Sequence, residues 1–269
     1  MPSFTRDGLR FNYRDEGTGI PFVFQHGLGG DLTQPFELCP AVDGIRLLGF
    51  DCRGHGETRP LGDVAALSFA RFADDLIALL DHLALERAIV GGISMGAGVA
   101  LNTVARYPER IQALIPVRPA WLDGPMPAWA RDTYAAIAQL IRADGAVAAR
   151  ALFAASDRYR DAQRQSAATA ASLLGQFERP RAEETVAILE RLPADAPLPN
   201  LDRLGAVSLP TLVVASDKDP VHPLALGTDL ALAIGGAQLA IITSKTENAE
   251  RHVLDCRRAM HAFLRTCTA

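Results

Sequence analysis

The chain has 269 residues, is 49% hydrophobic and 22% charged, and carries a formal net charge of −4. This composition excludes a disordered, collagen-like or low-complexity chain, and the length allows one large domain or two small ones. No run of Lys or Arg exceeds two residues, so neither a nucleic-acid surface nor an anionic-membrane surface is expected.

The start, Met1 to Gly8, lacks the apolar stretch of a secretory signal, and a cytoplasmic location is expected. Two short extended segments flank Asp7-Gly8, a hairpin signal. Pro21 to Gln25 reads as a strand that ends at the loop His26-Gly27-Leu28-Gly29-Gly30, and Ile45 to Phe50 as another that ends at Asp51-Cys52-Arg53-Gly54-His55-Gly56. From Ser68 to Leu85 the apolar residues recur at helical spacing. Ala88 to Gly91 reads as a buried strand, Met95 to Tyr107 as a helix closed by Pro108, and Ile111 to Val117 as a further strand. Strands alternating with helices imply right-handed crossovers and a mainly parallel sheet.

The stretch from Trp121 to Leu204 is Ala-rich and shows no convincing strand. Helices are expected at Tyr134 to Leu140, Ala146 to Phe153 and Ala182 to Leu192. The alternation resumes with a strand at Pro210 to Ala215, a helix at Pro223 to Ile234, a strand at Gln238 to Thr243 and a helix over Ala249 to Thr266. The expected organisation is therefore a core of residues 1–120 and 205–269 interrupted by a helical cap at 121–204. Cys39, Cys52, Cys256 and Cys267 form no CxxC pair and are expected to be free thiols.

The motif with the most chemical content is Gly92-Ile93-Ser94-Met95-Gly96, between a buried strand and a helix. A strand-to-helix reversal without a loop forces the middle residue into strained backbone angles, and the flanking glycines let neighbouring backbone pass close by. Ser94 Oγ then stands free at the sheet edge, above a helix N-terminus whose free N–H groups and dipole favour developing negative charge. No GxGxxG or GxxxxGK[ST] loop and no metal-ligand spacing occurs, so no cofactor and no metal is expected.

On these residues the chain resembles the α/β-hydrolase superfamily. His26-Gly27-Leu28-Gly29 is similar to that family's HGxG loop, Asp51 to Gly56 to its D-x-R-G-H-G loop, and Pro210 to Val214 followed by Asp219 to Pro223 to the strand and turn that carry its acid. The resemblance implies an α/β-hydrolase fold, with a mostly parallel sheet flanked by helices and an inserted helical cap. It also implies a cofactor-free serine hydrolase of the carboxylesterase kind, acting through an acyl-enzyme on a small ester. Ser94 would be the nucleophile, Asp219 rather than Asp217 the acid, and the backbone N–H groups of Leu28 and Met95 the oxyanion hole.

The family usually carries its base in a loop directly after the last strand. Here that loop is Thr243-Ser244-Lys245-Thr246-Glu247-Asn248, without histidine. His252 is the first candidate beyond it and keeps the chain order Ser, Asp, His; His222, just after the acid, is a reserve. His26 and His55 read as braces of their loops, and His261 as solvated. Arg118 and Trp121 are candidates for substrate contact, although Arg118 could equally pair with a core carboxylate. Two further activities use the same three residue types: perhydrolysis of the haloperoxidase kind and carbon–carbon bond hydrolysis. The absent histidine loop also leaves room for a ligand-binding protein without turnover. The partner expected is a small molecule, with further copies of the chain compatible with the sequence.

Overall fold

The computed structural model describes residues 1–268. Eight strands form one sheet: β1 (Ser3–Arg6), β2 (Leu9–Gly17), β3 (Ile20–Gln25), β4 (Ile45–Phe50), β5 (Ala88–Ile93), β6 (Ile111–Val117), β7 (Leu212–Ala215) and β8 (Gln238–Ile241). Their order is β1-β2-β4-β3-β5-β6-β7-β8, with β2 antiparallel to both β1 and β4 and every other pair parallel. The helices are α1 (Thr33–Leu38), α2 (Phe69–His82), α3 (Met95–Arg106), α4 (Ala128–Ala154), α5 (Asp157–Gln165), α6 (Ala167–Gly175), α7 (Ile188–Ala194), α8 (Leu224–Ala233) and α9 (Ala249–Thr268).

The central strands are buried on both faces, as a parallel sheet covered by helices requires. Alternate residues of β3 and β5 enter opposite layers. Val23 and Val90 join Phe72, Leu76 and Val99 of α2 and α3, whereas Phe22, Phe24, Ile89 and Ile93 join Cys256, Met260 and Phe263 of α9. The mainly parallel sheet follows the alternation of elements, and the whole is the α/β-hydrolase fold that the resemblance implies. All four cysteines are free, and among the described residues no helix is long and apolar enough to cross a membrane.

Between β6 and β7 every described helix or strand is helical. The expected limit at 120/121 falls between β6 and α4, and that at 204/205 falls inside a short 3-10 helix, Leu201–Ala206, that precedes β7; residue 269, the end of the second core half, lies outside the described residues. The insertion differs in detail from the expectation. Gly145, at φ 73°, breaks α4 into two helical runs. Two unexpected helices, α5 and α6, start where Ser156 and Ser166 accept hydrogen bonds from Tyr159 N–H and Thr169 N–H. The helix expected from Ala182 begins only at Ile188, because Pro180 and the left-handed Arg181 (φ 59°) hold the preceding residues in turns.

The β5–α3 junction fixes the position of Ser94. An added Cβ on Gly92 would lie 2.4 Å from the Gly96 carbonyl carbon, and one on Gly96 would lie 2.2 Å from the Gln25 carbonyl oxygen. Both neighbours are backbone and cannot swing aside. Gly96→Ala is therefore expected to destabilise the fold by about 1–3 kcal/mol or more. Urea unfolding followed by circular dichroism checks this; an unchanged midpoint would mean that the β3 loop and α3 can separate without cost.

Candidate active site

Ser94 sits between β5 and α3 with φ 56° and ψ −111°, a positive φ that a non-glycine residue adopts only under constraint. Its Oγ lies 2.9 Å from His222 Nε2, and His222 Nδ1 lies 2.9 Å from Asp219 Oδ2. With Nδ1–H donating to the carboxylate, Nε2 is free to accept the serine proton.

The turn after β7 builds this arrangement locally. Asp219 Oδ1 accepts from Val221 N–H at 3.0 Å and from His222 N–H at 3.2 Å, so the side chain caps its own turn and brings the imidazole three residues on against its other oxygen. Arg118, at the end of β6 with φ 48°, donates its Nη2 to Asp219 Oδ2 and approaches His222 Nδ1 at 3.0 Å. Thr169 of α6 adds an Oγ1–H bond to Asp219 Oδ1 at 3.2 Å, so the insertion touches the acid directly.

Burial by itself would raise the Asp219 carboxyl. The His222 imidazole and the Arg118 guanidinium outweigh burial and hold the carboxyl well below the usual range. The His222 imidazole is pushed below its ordinary value, chiefly by burial and further by Arg118, against the pull of Asp219.

A cavity of about 110 Å³ opens on these groups, lined by Leu28, Ser94, Arg118, Asp219, His222 and Lys245 together with Tyr134, Thr169 and Leu173 of the insertion. Leu28, in the loop after β3, lines the cavity with Ser94, and among the described residues its N–H has no hydrogen-bond partner; Met95 N–H opens α3 next to Ser94, where no intrahelical acceptor exists. Gly27 N–H donates to Gln34 Oε1 at 2.7 Å and His26 Nε2 accepts from Cys52 N–H at 3.1 Å, which fixes the loop that carries Leu28.

Two expected site residues lie elsewhere. The structure does not bring His252 to Ser94. Asn248 caps α9 by accepting from Arg251 N–H at 2.9 Å, and His252 in the next turn is 4% exposed with its Nδ1 2.8 Å from the Thr243 carbonyl. It ties α9 to the end of β8. Trp121 does not line the cavity either; it is buried, with its ring centroid 5.0 Å from that of Phe69 in an edge-on contact. Arg118 does reach the cavity, and at the same time pairs with the buried acid. His222 was legible in one feature: a residue three positions after an Asx-turn aspartate faces back onto that aspartate. The loop where the family's histidine is expected presents Lys245 to the cavity instead.

The family model described as alpha/beta hydrolase fold matches residues 20–243, and the chain belongs to that family. Among curated relatives, a 3-oxoadipate enol-lactonase of Acinetobacter baylyi is 28% identical over 93% of this chain and 91% of its own length. A non-heme chloroperoxidase of Kitasatospora aureofaciens is 42% identical over 38% of each chain. The chain spans 44%, 38% and 28% of the first three curated relatives it matches. A solved thermophilic esterase from Thermogutta terrifontis is 25% identical, with a TM-score of 0.71 over 98% of this chain and 96% of its own.

A proton on His222 blocks its acceptance of another from Ser94, so the site is competent above the imidazole pKa and incompetent below it. His222 is expected to titrate below pH 6.5, and Arg118→Met, by removing a neighbouring cation, to raise that value. Imidazole nitrogen shifts measured by NMR against pH, in wild type and variant, check both directions.

Proposed function

We propose that the protein is a serine hydrolase that cleaves a small carboxylic ester or lactone through Ser94, His222 and Asp219. The 2.9 Å contact between Ser94 Oγ and His222 Nε2, backed by Asp219, carries this reading. The esterase and enol-lactonase among the similar proteins support the acyl chemistry. The assignment of the base to His222 replaces the expectation for His252. The ligand-binding reading without turnover was motivated by the absent histidine loop after β8, and an imidazole brought to Ser94 from another turn argues against it.

In this mechanism His222 Nε2 takes the Ser94 proton as Oγ attacks the substrate carbonyl. Asp219, held ionised, stabilises the imidazolium. The Leu28 and Met95 N–H groups receive the tetrahedral oxyanion. The imidazolium then gives its proton to the leaving oxygen, which departs as an alcohol or, in a lactone, stays tethered as a hydroxyl. Water deprotonated by His222 attacks the Ser94 ester, and collapse of the second tetrahedral species frees the acid and returns the proton to Ser94. The helical insertion acts as a cap over this step, since Tyr134, Thr169 and Leu173 close the cavity.

Hydrolysis of p-nitrophenyl butyrate, together with labelling by a fluorophosphonate, tests the assignment. Ser94→Ala and His222→Ala are each expected to lower kcat by about 10⁴ or more, and Asp219→Asn by about 10³–10⁴. His252→Gln should stay within about tenfold of wild type, because it loses only a backbone tether. A collapse of activity in the His252 variant with retention in the His222 variant would reverse the assignment.

A further inference from the structure

Two cations, Arg118 and Lys245, and a single carboxylate, Asp219, line the cavity among the described residues. Arg118 is committed to Asp219 through its Nη2. Lys245 is different: it forms no hydrogen bond and no ion pair among the described residues, although Lys218 in the same neighbourhood is paired with Glu247. The cavity lining therefore carries one more cation than carboxylate, and that cation, Lys245, is itself exposed to water. Partial burial, and then the nearby Arg118 guanidinium, push the Lys245 ammonium below its ordinary value against the pull of Asp219.

A further cation lies behind the Leu28 loop. Arg179 is 8% exposed and faces no carboxylate; its Nη2 has no partner, its Nη1 meets only the Thr185 hydroxyl, and an added Cβ on Gly29 would lie 2.8 Å from its Cδ. Burial pushes the Arg179 guanidinium down to about 10. Arg179 does not line the cavity, so Lys245 is the cation there that an anionic substrate group can meet without displacing an existing ion pair.

We propose that the substrate carries a free carboxylate in addition to its scissile ester or lactone bond, and that Lys245 Nζ is the counter-ion that binds it. This rests on the hydrolase reading of the same site. Lys245 is here a specificity residue: it leaves Ser94 and His222 to the bond that breaks and selects the molecule that enters.

The test uses matched ester pairs that differ by one charge: p-nitrophenyl hydrogen glutarate against its methyl-capped diester, and 3-acetoxybenzoate against its methyl ester. Wild type is expected to favour the free acid in at least one pair by tenfold or more in kcat/KM, mainly through KM. Lys245→Gln should reduce that ratio at least tenfold, and Lys245→Arg should restore most of it. Equal handling of acid and neutral ester by wild type would overturn the proposal while leaving the hydrolase reading intact. A fall of both substrates by the same factor in Lys245→Gln would also overturn it, because Lys245 would then act on the chemical step. Should wild type show no Ser94-dependent turnover of any of the four esters, the hydrolase reading fails. Thermal stabilisation by glutarate then decides the proposal: a rise in Tm in Ser94→Ala that is lost in Ser94→Ala with Lys245→Gln supports it, and an equal response in both overturns it.

Discussion

A single buried carboxylate holds the working parts together. Asp219 accepts from the Arg118 guanidinium, the Thr169 hydroxyl, the His222 ring and the backbone N–H groups of Val221 and His222. Those donors come from the end of β6, from the insertion and from the turn after β7. A charge removed from water stands only when paired and fully hydrogen-bonded. Each donor therefore has a fixed place, and three segments far apart in sequence are drawn to one point. The serine is fixed by different means, the close passage of Gly92 against Gly96 and of Gly96 against Gln25. The two constraints meet at the hydrogen bond between Ser94 and His222.

Placing acid and imidazole on one turn changes how their geometry is maintained. Where a base comes from a separate loop, two loops must hold register against each other. Here the Asp219 side chain caps the turn that carries His222, so the spacing is set within four residues. The loop after β8 is thereby relieved of presenting an imidazole. It presents Lys245, and His252 beyond it serves the packing of α9 against the end of β8.

The fold was legible because its signals are local and strong. Buried β5 followed without a loop by Met95 to Arg106, and the glycines at 92 and 96, specify the elbow from sequence. The insertion was less so: α5 has a single buried residue, Ala162, and few apolar residues to mark it, and its boundaries depend on Ser156 and Ser166 as caps. The imidazole beside Ser94 was not read from sequence, because chain order and family habit point beyond β8, whereas the contact that brings His222 to Asp219 lies within one turn, three residues apart. Trp121 was misread because an aromatic just past a sheet edge faces either the cavity or the core, and Phe69 supplies the core partner.

Arg118 introduces a tension into the site. Its charge helps keep Asp219 ionised, which favours a protonated His222, but the same charge acts directly against the imidazolium. Lys245 acts against it as well. The balance lowers the imidazole below its ordinary value, toward the form able to accept a proton from Ser94. A bound carboxylate would offset part of the surplus charge just when the imidazolium has to form. On the proposed reading the contact with Lys245 decides which molecule enters, while the balance at the imidazole is set chiefly by its burial, Asp219 and Arg118.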